Sequence, residues 1–152
     1  MAEPIQPAVA GTSQWGPLAD WGERVIAALL DRIPGFVLGA VGTRTGALGS
    51  LLSLAGAAYF FYVAYMEGER GAGPGKRLTG LKIVKLADGQ TLGGGMGIVR
   101  QIAHFVDAII CLIGYLFPLW DPQRQTLADK IVGTVVLKDQ PKEELSGEIF
   151  KL

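Results

Sequence analysis

Charge is scarce in this chain: 18% of its 152 residues are Asp, Glu, Lys or Arg, split into 14 bases and 14 acids for a net charge of zero. No basic run alternates with aromatic residues, so nothing in the sequence suits nucleic acid. The single cysteine, Cys111, excludes an intramolecular disulfide, and with the single histidine, His104, it offers too few ligands for a structural zinc site. Neither a metal nor a cofactor is expected. No Ser/His/Asp set, cysteine pair or histidine cluster is in view, so catalysis lacks a nucleophile, a base and a metal, and no catalytic residue is assigned. Residues 1–20 contain neither the basic start nor the apolar middle of a cleavable secretory signal, and they are read as a polar tail without fixed structure.

Apolar residues are abundant instead, at 49% of the chain with a mean hydropathy of +0.33. A soluble domain of this size is less apolar, and the expected class is an all-α integral membrane protein. The membrane domain is placed at residues 21–138, with helices at about 24–42, 47–66 and 98–120, a polar loop at 67–97 and a polar tail at 139–152. The first two helices form a hairpin. Gly35 and Gly39, four apart on the first, would let another helix approach closely, and Pro34 would kink it. Tyr59, Phe60, Phe61, Tyr62 and Tyr65 form an aromatic belt at the far end of the second.

The loop carries Lys76, Arg77, Lys82 and Lys85, and the positive-inside rule puts it and the N-terminus in the cytoplasm of a bacterial plasma (inner) membrane. Within it, Leu81–Leu86, the turn Asp88-Gly89 and Gln90-Thr91-Leu92 read as a β-hairpin. The third segment either spans or re-enters. Basic residues on both sides of it favour a return, which would let the strand-like Thr134–Leu137 join the loop sheet.

Two phrases repeat within the apolar segments. Arg24 to Asp31 aligns with Arg100 to Asp107, matching at Arg, Ile, Ala and Asp. Seven residues are close to two helical turns, so each Arg and Asp share a face. A charge at the centre of a membrane helix costs about 2.5–3.5 kcal/mol on insertion scales. Two readings of Arg24, Asp31, Arg100 and Asp107 stay open: a self-neutralising Arg–Asp network that specifies packing, or a cation or proton path with His104 as a relay on the same face. Asp129 has a plain role as a helix cap or as a partner of Arg124 or Lys130, and a functional one as an ion ligand. Gly73-Pro74-Gly75-Lys76-Arg77 is not a phosphate loop, because Arg77 stands where Ser or Thr should bind magnesium. It reads as a turn that displays a basic surface toward lipid or a partner.

Arg24 and Asp31, the phrase Gly73-Pro74-Gly75-Lys76-Arg77-Leu78-Thr79-Gly80-Leu81-Lys82-Ile83-Val84 and the phrase Gln125-Thr126-Leu127-Ala128-Asp129-Lys130-Ile131-Val132-Gly133-Thr134-Val135-Val136 together resemble the RDD family of bacterial membrane proteins. The resemblance covers roughly residues 20–138. It assigns the family's Arg to Arg24 and its two Asp to Asp31 and Asp129, with Asp107 as a further candidate. Ala128 stands where relatives often carry His, so no role of that His transfers. The resemblance implies a multi-pass membrane fold, and cation or proton movement has been proposed for some members.

Two functions are expected from different classes. One is an accessory subunit bound to other integral membrane proteins, for example in a respiratory-chain supercomplex or a transport assembly. The other is a cation or proton transporter acting as a homo-oligomer. Both place the chain in the lipid bilayer.

Overall fold

The computed structural model describes residues 11–110 and 112–152; Cys111 and residues 1–10 lie outside the described part. Asp20 starts the first helix. Its side chain accepts from the Glu23 backbone N–H at 3.0 Å, while the Glu23 carboxylate accepts from the Asp20 N–H at 2.8 Å, a reciprocal cap. Helix α1 (Trp21–Gly42) runs through Pro34 without a break, and α2 (Gly46–Arg70) returns beside it. At 1.5 Å per residue these are about 33 and 38 Å long, enough to cross a hydrocarbon layer of about 30 Å. The hairpin is held by close backbone approach. A Cβ on Gly49 would overlap the Gly42 carbonyl, and one on Gly56 would sit 2.6 Å from the Gly35 carbonyl oxygen. Gly35 is therefore spent inside the chain, whereas Gly39 faces open space.

After α2 come the short helix α3 (Pro74–Thr79) and strand β3 (Lys82–Lys85). The partner of β3 is β4 (Thr134–Leu137), antiparallel, with Ile83 opposite Val136 and Val84 opposite Val135. Gln90–Leu92 is not a strand. It only closes the Asp88-Gly89 turn, through a bond from the Lys85 N–H to the Gln90 carbonyl at 2.9 Å. The fully buried β4, apolar from Val135 to Leu137, buries more surface against β3 than the polar Gln90 segment could.

The third segment consists of α4 (Gly94–Ile109), α5 (Ile113–Leu116) and a 3-10 turn at Phe117–Leu119, bent by 106° at the break. It is followed by α6 (Leu127–Val132), which packs back on α4. Because β3 precedes this segment and β4 follows it, their pairing requires that the segment return to the side it left. Residues 11–20 and the C-terminal tail lie on that side too.

Residues 11–20 are structured, against the expectation of a free tail. β1 (Thr12–Ser13) and β2 (Gly16–Pro17) form a tight hairpin, Leu18 bridges to Leu137, and the Ala19 N–H donates to the Val136 carbonyl at 2.8 Å. Leu18 and Ala19 are fully buried, in a small core with Ile83, Val84, Val135 and Val136. The C-terminal tail docks as well. Arg77 donates from Nη1 to the carbonyls of Glu148, Ile149 and Lys151 at 2.8–3.1 Å, and Ile149 is buried beneath it.

Candidate functional site

The ionisable residues of the helices converge where α1, α2 and α4 meet α3 and α6. At the start of α3, the cap residue Gly73 and Gly75 let the chain lie directly on α1: a Cβ on Gly75 would come 2.8 Å from the Asp31 nitrogen. That contact lets the Gly75 N–H donate to Asp31 Oδ1 at 2.7 Å and Lys76 Nζ donate to Asp31 Oδ2 at 3.0 Å. Lys76 also binds Glu67 of α2, whose other oxygen lies 3.5 Å from Arg100 Nη1. Arg100 donates from Nε and Nη2 to Asp129 Oδ1 at 2.9 and 2.6 Å, and the second oxygen of Asp129 takes Arg24.

The result is a continuous chain of alternating sign, Asp31, Lys76, Glu67, Arg100, Asp129, Arg24, with three acids and three bases. All but Arg24 are buried to within 6% exposure. Such charges are tolerated when each is paired and its remaining lone pairs or protons are satisfied. Asp129 meets that condition most fully. It caps α6 reciprocally with Thr126 and accepts from Thr134 Oγ1 at 3.0 Å besides its two arginines. Burial alone would raise its pKa, but the Arg100 and Arg24 guanidiniums outweigh burial and hold the carboxyl well below the usual range.

The Arg–Asp pairs of the sequence repeat do not form. Arg24 binds Asp129 and Asp31 binds Lys76; Arg100 binds Asp129 and Glu67. Asp107 instead accepts from His104 Nδ1 at 2.6 Å and from the Ala128 N–H at 3.3 Å. Stacking on Tyr115 at 5.4 Å fixes the His104 ring further. Seven helical residues advance about 10 Å, so side chains in register on one face are too far apart to touch. Lys76 and Arg77 are not a displayed basic surface: they are 6% and 7% exposed, one spent on the charge chain and the other on the C-terminal tail. Lys82 and Lys85 do reach the surface. Asp129 caps α6, but its partners are Arg24 and Arg100; Lys130 goes to Asp121 and Arg124 to the Leu18 carbonyl.

Glu67 was not singled out from the sequence, since it follows the apolar run that marks the second helix. Its signal was position: four and eleven residues after Val63 and Gly56, it continues the buried face of α2. Arg32 was also missed; it donates to Gln101 Oε1 at 3.1 Å. Beside Asp31 and Glu67 lies a cavity of about 310 Å³ walled by Phe36, Phe60 and Val63. The buried Tyr59 hydroxyl, on its lining, has no hydrogen-bond partner among the described residues.

Comparison with known proteins places the chain in a family. A proline-rich antigen homolog of Mycobacterium tuberculosis (strain CDC 1551 / Oshkosh) is 54% identical over 86 residues, which is 56% of this chain and 36% of the relative. The proline-rich antigen of Mycobacterium leprae (strain TN) is 39% identical over 148 aligned residues, 77% of this chain and 59% of the relative. The chain thus spans between about a third and three-fifths of the length of these relatives. No solved structure matches it significantly. The RDD family pattern matches residues 18–133, a stretch that holds all six residues of the charge chain, and the protein belongs to the RDD family.

Proposed function

We propose that this protein is a non-enzymatic accessory subunit of a larger assembly in the bacterial inner membrane, with its sheet, termini and short helices on the cytoplasmic side. The observation that carries the reading is the continuous chain of six charges. Each carboxylate in it is matched by a cation of the same chain, so the ionisable groups lock α3 and α6 onto the helices and form a rigid unit. A rigid two-span unit with apolar outer faces is suited to docking against other membrane proteins. Phe36, 76% exposed, and Leu48, Leu51 and Leu54, each at least 64% exposed, supply those faces. Surface lysines near the sheet support the cytoplasmic placement.

Purification of the tagged protein at native level in mild detergent, with its companions identified by mass spectrometry, tests this. A fixed, stoichiometric set of other membrane proteins is the expected result. Recovery of the protein alone, as an oligomer, overturns it.

One observation favours the second reading, a cation or proton transporter: the cavity beside Asp31 and Glu67 with its unpartnered Tyr59 hydroxyl. Under that reading Asp31→Asn abolishes ion flux in proteoliposomes while expression holds. Under the accessory reading the same change leaves no flux to lose and releases the protein from its complex.

A further inference from the structure

The third segment meets the hairpin toward one end. Among the described residues, every hydrogen bond and ion pair between α4 or α5 and the hairpin falls between Trp21 and Arg32 on α1 and between Glu67 and Glu69 on α2. The two spans run level, Gly35 against Gly56 and Gly42 against Gly49, so Trp21 and Arg70 mark the same polar end. Both ends of α4 are held close to it. Near the start, a Cβ on Gly97 would meet the Ala64 carbonyl and the Gly68 nitrogen, about 9 and 3 Å along the span from Arg70. Near the other end, a Cβ on Gly114 would come 2.6 Å from the Asp107 Cα, and Tyr115, the next residue, accepts through its carbonyl from Trp21 Nε1 at 3.0 Å. The helix from Gly97 to Asp107 covers about 15 Å. With its ends near one level, that length runs across the spans and not along them.

We propose that α4 lies in the plane of the membrane, in the leaflet on the side of the sheet, and that its outward face binds the acyl chains just beneath the lipid headgroups. The inward face carries Arg100, Gln101, His104 and Asp107, each at most 8% exposed, whereas Val99, Ile102, Phe105 and Ile109 point outward at 46–79%. A helix lying on water has the opposite arrangement, so the surroundings of α4 are apolar. Every exposed residue from Val99 to Val106 is large and apolar. The small residues that bring membrane helices together, Gly97 and Ala103, are on the buried side, where Gly97 is spent on α2. The occupant of the outward face is therefore lipid and not another helix. A helix of this type sinks its apolar face about 5–10 Å into the leaflet. Trp120, 57% exposed and five residues past Tyr115, supplies an aromatic anchor suited to that depth. In the opposite leaflet the hairpin then stands without α4, and Gly39 faces open space there. The placement of α4 does not depend on whether a protein partner fills that space.

The test measures depth, in the full chain reconstituted into phosphatidylglycerol and phosphatidylcholine vesicles. In a Cys111→Ser background, Val99→Cys, Ile102→Cys, Val106→Cys and Ile109→Cys each carry a nitroxide label, and collisions with oxygen and with a nickel chelate report depth. Ile26→Cys, Leu30→Cys and Ile33→Cys on α1 calibrate the scale, where depth should grow by about 1.5 Å per residue. The four α4 labels should meet oxygen more than nickel and lie within about 5 Å of one another in depth. A gradient that reaches about 15 Å from Val99 to Ile109 makes α4 a spanning or re-entrant leg and overturns the proposal. So does free access of nickel to all four labels, which puts the face in water. Immobilised labels that meet neither reagent place protein there, a second copy of the chain in this preparation, and overturn it as well. The unsubstituted chain gives a second reading if the labelled variants do not fold. A phospholipid with a diazirine near its glycerol should label Val99 to Ile109 evenly, and one with the diazirine at the acyl terminus should favour residues 33–58. Preferential labelling of Ile109 by the acyl-terminal probe overturns the in-plane placement.

Discussion

In the first half of the molecule, Asp31 of α1 accepts the N–H at the second position of the short helix α3, which ends at Gly80 in the left-handed conformation and continues into β3. In the second half, Asp107 of α4 accepts the N–H at the second position of α6, which ends at a left-handed Gly133 and continues into β4. The order of parts is the same, and the two strands pair. The difference lies one residue further along each short helix, where the first half has Lys76 and the second has Asp129. That opposition of sign lets the halves interlock. Asp31 and Glu67 gather on Lys76, Arg24 and Arg100 gather on Asp129, and the Arg100–Glu67 contact joins the two groups. Two identical halves would have placed like charges together at the centre, where repulsion is least screened.

Asp129→Asn should break this arrangement most severely. It strands the buried Arg100 and the partly buried Arg24, and removal of one partner from a buried pair costs about 3–5 kcal/mol; unfolding in detergent should show at least that loss, with the protein failing to accumulate in cells. The equivalent change in the other half, Asp31→Asn, should cost less, about 2–3 kcal/mol, because Lys76 keeps Glu67. Asp107→Asn should cost least of the three, about 1–2 kcal/mol, since an amide can still meet His104 and the Ala128 N–H. If Asp107→Asn proves as damaging as Asp129→Asn, the asymmetry between the halves is wrong.

The two left-handed glycines sharpen the comparison further. Gly133→Ala meets open space and should cost only the backbone penalty of about 1–2 kcal/mol. Gly80→Ala has the same φ, but its Cβ would sit 2.6 Å from the Gln140 carbonyl, so it should cost more and loosen the C-terminal tail, which limited proteolysis would detect.

The smallest effect expected is with pH. Because the folded pKa of Asp129 is depressed, the unfolded chain binds more protons in the acid range, and stability rises with pH there. The contribution is complete above the ordinary carboxylate pKa and is lost as pH falls through the lower, folded value. Between neutral pH and about pH 5 the unfolding midpoint should therefore hold steady for this group, and Asp129→Asn should flatten the slope seen below that range.

The helices were readable from the apolar runs, as were β3 and β4 from their composition. The charge pairing was not, for reasons that can be stated. Spacing put Arg24 and Asp31 on one face but says nothing of reach, and partners such as Asp129 and Arg24 are separated by 105 residues in sequence. Lys76 and Arg77 lie in a glycine-rich stretch that resembles an exposed turn, and only the close approach of α1 to Gly75 shows why it is buried. Gln90–Leu92 carried a strong local hairpin signal that yielded to the long-range, fully buried β4. Within the six-charge chain, Arg24, Asp31, Arg100 and Asp129 were legible from the repeat and the closing phrase, but Glu67 was hidden by its place after the apolar run.

The distance in sequence between Arg24 and Asp129 also sets a delay in synthesis. At about 5–20 residues per second, the 105 residues that follow Arg24 take roughly 5–20 s to emerge. Throughout that interval α1 sits in the membrane with an arginine whose carboxylate has not yet been made. A chain released early keeps that uncovered charge indefinitely, together with an unpaired β3 edge and a bare Leu18. An incomplete copy is therefore distinguishable from a finished one by the charge it leaves exposed at the membrane surface, without any need for a quality-control factor to read its length.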